Sequence, residues 1–267
     1  MRTLLIALLT GLTSPALAAA QLLQPWGDAA PRGASLDLFR PAFNGGGTST
    51  LTTINQLNLR WRVGSVALVA ELPFVIAKAD GATSGATLMG NPFLGVASNP
   101  SSAWIGELGI RIPVVKVSSP EADFAQTVGV FGDFTDFEAY ANDILTTRAT
   151  FGYRHRTPNH VAVRVALRPT LMSPTGDNMG DSELFLDYGA QVGYESDQVR
   201  VGAAFNGRAW ATESDRSFGE RTVHELGLGA AMTFGRFRPG LLLRVPLDRD
   251  LTEMVSTALG VKLELTF

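Results

Sequence analysis

The sequence predicts an all-β chain: a transmembrane, antiparallel, up-and-down β-barrel of about 12 strands. Three observations carry this. Segments with strict apolar/polar alternation recur along nearly the whole chain, and their connections alternate between tight turns and long polar loops. The final segment, 254–267, alternates to its end and closes on an aromatic residue. Side chains on a strand point to opposite faces in turn, so each such segment has one oily and one wet side. With Gly at 28 residues and charged residues at only 18% of the chain, the composition suits a wall with lipid on one side and a polar interior on the other.

The first element is not a strand. Met1-Arg2, the apolar run Leu4 to Leu9 and Ala16-Leu17-Ala18 have the layout of a secretory signal peptide, residues 1–18, with Ala20 as an alternative cleavage point. The run is too short to span a bilayer as a helix. Residues 19–32 are expected to form a periplasmic N-terminal segment and 33–267 a single barrel. Cleavage removes Arg2, so the 22 basic and 25 acidic residues become 21 and 25, a net charge of −4. That balance does not suggest nucleic acid. With no cysteine, disulfides and thiolate metal sites are excluded.

Strands are predicted over 33–43, 51–63, 66–77, 88–98, 102–116, 143–155, 160–172, 182–195, 198–210, 222–234, 237–248 and 254–267. The pattern also admits ten or fourteen. In the second, Leu57, Leu59, Trp61 and Val63 oppose Gln56, Asn58, Arg60 and Arg62. In the seventh, Val161, Val163, Val165 and Leu167 oppose Ala162, Arg164, Ala166 and Arg168. Pro41 and Pro92 interrupt 33–43 and 88–98, since proline cannot donate to a ladder. Tight turns are read at 64–65, 99–101, 157–159, 195–197 and 235–236, and long loops at 44–50, 78–87, 117–142, 173–181 and 211–221. Short turns on one side and long loops on the other are the habit of membrane barrels. An even strand count places both termini on the short-turn side. Trp61, Trp104, Tyr153, Tyr194, Phe234, Phe237 and Phe267 gather there, as an interfacial girdle would.

A last strand that alternates and ends on Phe267 resembles the closing strand of bacterial outer-membrane barrels. Glu71-Leu72-Pro73-Phe74, Gly90-Asn91-Pro92-Phe93-Leu94-Gly95-Val96 and Glu107-Leu108-Gly109-Ile110-Arg111-Ile112-Pro113 resemble strand motifs of outer-membrane barrels of the meta-pathway phenol-degradation type. The resemblance implies a Gram-negative outer membrane reached through the periplasm. It also implies Phe267 as an assembly signal for the barrel-assembly machinery. Periplasmic chaperones, outer-membrane lipid and lipopolysaccharide are then expected partners. The strand-motif resemblance by itself transfers no functional residue.

Catalysis is not expected. Barrel lipases need His-x-Ser, and neither His155, His160 nor His224 has Ser two residues on. His224 points outward near the upper end of its strand, so Glu225 faces the other way. No metal cluster, phosphate loop or cofactor motif appears. The interior face is more informative. The register turns Arg60, Arg62, Arg111, Arg148, Arg154, Arg164, Arg168, Arg200, Arg208, Arg238, Arg244 and Lys262 inward, against Asp37, Glu71, Glu107, Glu183, Asp187, Glu225 and Glu264. Arginine facing lipid costs roughly 2–4 kcal/mol at the midplane, which requires this placement. Inward glycines such as Gly109 and Gly260 would give the long side chains room. The expected function is a narrow arginine-lined pore for a small, anionic solute; the alternative is a closed structural or surface-binding barrel with no transport. The loop 117–142 is acidic and aromatic, without a basic residue between Lys116 and Arg148. It is expected to rise above the membrane with its aromatics on neighbouring loops. Binding a partner or divalent ion, or folding into the mouth onto lumen arginines, stays open.

Overall fold

The computed structural model describes residues 32–44, 48, 52–98, 103–133, 136–176 and 180–267. The signal-peptide assignment, nearly all of 19–32 and the 99–101 turn lie outside them. Thirteen hydrogen-bonded segments follow in order: β1 (Gly33–Phe43), β2 (Thr53–Val63), β3 (Val66–Ala77), β4 (Ala86–Met89), β5 (Phe93–Ser98), β6 (Trp104–Arg111), β7 (Ile144–Arg156), β8 (Val161–Pro174), β9 (Glu183–Glu195), β10 (Val199–Trp210), β11 (Thr222–Met232), β12 (Phe237–Pro246) and β13 (Val255–Thr266). All pairings are antiparallel, and apart from β4 and β5, which do not pair with each other, each segment pairs with its sequence neighbours. β13 pairs with β1, and β2 with β3, so the sheet closes on itself. β4 and β5 both lie against β3 and make one interrupted strand, so the barrel has 12 staves. The interruption is Gly90-Asn91-Pro92, where Pro92 has no N–H to give. Pro41 is accommodated near the upper end of β1, opposite Ala258.

The alternation places the apolar row outside. Leu57, Leu59, Val163, Val165, Leu259, Val261 and their counterparts around the ring are exposed, a belt that only lipid would cover. At the turn end Trp61, Trp104, Tyr153, Tyr194, Phe234, Phe237 and Phe267 are all exposed as well. Phe267 tilts against Trp61 at 5.7 Å between ring centroids.

Loop 112–143 departs from expectation. It does not rise above the rim; it folds into the upper lumen as a plug. Helix α1 (Pro120–Gly132) starts where the Ser119 side chain accepts the Ala122 N–H, with Pro120 in its first turn and Glu121 and Asp123 near its positive end. A 3-10 turn, Phe137–Ala139, follows. Ala125, Val128, Val130, Phe137 and Tyr140 join the inward Phe39, Ile54, Val75, Leu88, Phe185, Val223 and Leu242 of the wall in one buried cluster, with Phe124 and Phe131 against it. Burial of this much apolar surface drives the loop inward. Upper-rim helix α2 (Arg249–Met254) contributes Leu251 to the same cluster.

Candidate functional site

The site is the ring of charge on which the plug sits. Helix α1 delivers Asp133 at its C-cap, and the following turn delivers Asp136 and Glu138. Glu138 meets Arg208 of β10 with both oxygens, at 3.0 and 3.1 Å. Asp136 lies 2.5 Å from Arg111 of β6 and 3.8 Å from Arg148 of β7. Asp133 accepts from Arg244 of β12 at 3.1 Å. Each arginine also holds a wall carboxylate. Arg208 donates to Asp187, Arg244 to Glu225 at 3.1 Å, and Arg111 and Arg148 share Glu71 at 3.0 and 2.7 Å. Arg148 reaches Glu107 at 3.2 Å, and Arg168 lies 3.7 Å from Asp187. Such charges tolerate burial only because they are paired and hydrogen-bonded.

The neighbours set the two plug acids apart. For Glu138, burial pushes the carboxyl up, but the Arg208 guanidinium outweighs it and the value falls to about 2. For Asp136, burial dominates, reinforced by Glu138 and Glu71 nearby. It ends at about 7 although Arg111 and Arg148 oppose the rise.

Aromatic rings back the guanidinium groups. Arg148 lies 3.8 Å from the Phe93 centroid, Arg244 5.4 Å from Phe39, and Arg208 5.3 Å from both Phe137 and Phe185. This is charge against π-face in a desolvated place. The inward Gly109 and Gly260 make room for these rings rather than for the long cations. A Cβ on Gly109 would strike the Phe93 ring, and one on Gly260 would come within 2.9 Å of Phe39.

The strand break is the plug's latch. Asn91 donates its side-chain amide to the carbonyls of Glu138 (3.1 Å) and Ala141 (2.7 Å). Its amide oxygen accepts the N–H groups of Val114 and Val115, at 2.8 and 3.0 Å. A Cβ on Gly90 would meet the Ala139 carbonyl, so glycine is needed for the approach.

Below the belt, Arg164 pairs with Glu195 at 2.5 Å, Arg238 with Glu264 at 3.2 Å, and Lys262 lies 3.7 Å from Asp37. Arg60 donates to the Ser98 carbonyl and Arg62 to that of Gly64, close to the turns. Arg154 and Arg200 lie at the same end, in cross-strand register with Arg164 and Glu195 respectively. Glu183 sits at the upper rim, accepting from the Trp210 ring N–H at 2.6 Å. The structure therefore brings Glu71, Glu107, Arg111, Arg148, Arg168, Asp187, Arg208, Glu225 and Arg244 into one belt. The remaining lumen candidates are distributed above and below it.

One constellation escaped the sequence. On the outer wall, Gly207 stands between Tyr188 and His224, and the tyrosine lies over it. A Cβ there would come within 2.5 Å of the Tyr188 ring. Tyr188 Oη is 2.8 Å from His224 Nε2, and His224 Nδ1 is 3.1 Å from Asp248, which also accepts the His224 backbone N–H. Glu225, as expected, faces the lumen instead. Among the described residues no group of three acidic, His or Cys side chains is placed to hold a metal.

A closed antiparallel sheet with an apolar outer belt and a charged lumen defines an outer-membrane β-barrel. No family model matches the chain, and no curated protein matches it. Solved structures do share its architecture. An outer membrane channel from Pseudomonas putida F1 superposes with a TM-score of 0.56 at 10% identity, covering 91% of this chain and 98% of that one. LpxR from Salmonella typhimurium gives 0.54 at 12%, covering 88% and 100%, and the NanC porin 0.51 at 7%, covering 87% and 100%. At these identities the likeness is one of fold.

Proposed function

We propose that the protein is a narrow channel for small solutes with a preference for anions, shut in this conformation by the loop between β6 and β7. The observation that carries the proposal is the charge of the lumen wall. Among the described residues thirteen inward basic side chains, the twelve expected and Arg156, face eight acidic ones, the seven expected and Glu195, and the plug's three carboxylates bring the acids to eleven. The plug thus neutralises most of a surplus that the open wall would present. A narrow, partly desolvated passage selects by the charge that lines it, whereas charges on distant loops are screened within about 8–10 Å. The reading includes export through the N-terminal signal and periplasmic chaperones, assembly by the barrel machinery with Phe267 as its cue, and contact with lipopolysaccharide. It assigns no catalysis.

A second reading is favoured by one observation. Arg111, Arg148, Arg164, Arg168, Arg208 and Arg244 are all buried and ion-paired, which would also serve a permanently closed structural barrel. Planar-bilayer recording on refolded protein with its plug loosened separates the two. The expected result is a small conductance that prefers anions, shifting towards cations when Arg164, Arg168 and Arg200 are all replaced by Glu. A cation preference before mutation refutes the anion channel, and silence of the loosened protein refutes transport.

A further inference from the structure

The plug residues Phe137 and Glu138 make the most specific contact in the lumen, and what they occupy has the form of a binding site. Resting on the channel reading, we infer that the place filled by the Phe137 ring and the Glu138 carboxylate is a solute site for a monocarboxylate that carries an aryl ring.

The carboxylate half is defined by Arg208. Its two terminal nitrogens grip the two Glu138 oxygens in the parallel fork that guanidinium and carboxylate form best, while its Nε side is fixed by Asp187. Asp187 belongs to the wall, so the guanidinium stays oriented when the plug carboxylate leaves. The ring half is defined by Phe185. Phe137 meets it edge-to-face at 5.8 Å, and Trp210 stacks with it at 5.9 Å and 17°. Both are wall residues, so a flat apolar surface remains beside the fork. Edge-to-face contact adds to the gain from area burial, so the site discriminates ring-bearing acids from bare ones.

Geometry fixes the valence. Of the three plug carboxylates, Asp133 sits on Arg244 and Asp136 on Arg111 and Arg148, so the Arg208 fork receives Glu138 alone and takes one carboxylate. A second carboxylate on the solute would lie against the Phe185 ring, buried and unmatched. The plug is then a resident surrogate, holding the site with its own ring and carboxylate until a solute competes for it.

The test uses the full refolded chain with Phe137→Ala/Glu138→Ala, which empties both halves of the site, and Glu138→Ala alone should the double variant assemble poorly. Calorimetry in detergent would compare 3-phenylpropionate with propionate, 3-phenylpropanol and succinate. The expected result is 3-phenylpropionate binding about tenfold or more tightly than any of the three and than to the wild-type chain, with Phe185→Leu removing most of that advantage. Equal binding of 3-phenylpropionate and propionate, tighter binding of succinate, or indifference to Phe185→Leu would overturn the inference. Bilayer recordings on the same protein report on the channel separately. Conductance without ligand preference sinks the site alone, and preferential binding without conductance sinks transport alone.

Discussion

Replacing Glu138 by Gln attacks the plug where it is held most firmly. Glu138 and Arg208 are both fully shielded from solvent, so salt screens their pairing little. Removing one partner of a buried pair costs about 3–5 kcal/mol, because the other charge is left less compensated. At 1.36 kcal/mol per tenfold, the seated plug should lose between about two and nearly four powers of ten against its displaced form. The assay is open probability in a planar bilayer at fixed voltage. The control is Arg249→Gln, whose partner Glu253 lies one turn away on exposed α2. Surface pairs of this kind contribute about 0–1 kcal/mol, so the control should behave as wild type. A Glu138→Gln protein that migrates as a folded barrel before heating, yet opens no more often than the control, would refute the argument that this ion pair holds the plug.

Three further outcomes are expected. Asn91→Ala removes four hydrogen bonds between the strand break and the plug, and should increase protease cutting within 112–143 without altering the heat-dependent gel shift of the barrel; unchanged cutting would show that Asn91 is not the latch. Asp136, raised to about 7 by burial, favours the protonated state when the plug is seated, so seating is strongest below the ordinary carboxylate range and weakens as pH rises through about 7. Glu138, lowered to about 2, favours seating throughout that window and loses its effect only at far lower pH; open probability should therefore climb from pH 5 to 8 in wild type and stay flat in Asp136→Asn. Removing Phe267, which packs on Trp61, should reduce assembled protein in cells more than refolding in detergent, and an equal decline in both would leave it only a packing role.

The wall was legible because a strand's period of two survives in each segment separately. Leu57 to Val63 and Val161 to Leu167 reveal their faces without knowledge of any neighbour. Boundaries are less so: the pattern assigns Glu195 both to the end of the strand 182–195 and to the turn 195–197, and in the structure it closes β9 and faces Arg164. The site was legible in half. That Arg208 and Arg244 point inward follows from alternation, but that they meet Glu138 and Asp133 depends on which staves curvature brings around one loop. A short helix bearing acids and aromatics has the same pattern on a rim as in a lumen. Local sequence cannot choose between them. Tyr188 and His224 are 36 residues apart, and their contact needs a glycine on the strand between them, which no linear pattern signals.

The position of the plug has a consequence for the order of assembly. Its two ends leave from β6 and β7, adjacent staves near the middle of the chain, while the seam that completes the ring joins β13 to β1 at the chain's extremities. The plug's partners nevertheless come from the whole circumference: Arg111 and Arg148 beside its own roots, Arg208 and Arg244 on later strands, Ile54 and Phe39 on the earliest. A half-made sheet can therefore recruit each new stave to the loop as it arrives. In that order of events the loop would serve as a mandrel for the wall, and the cylinder would close around an object already inside it.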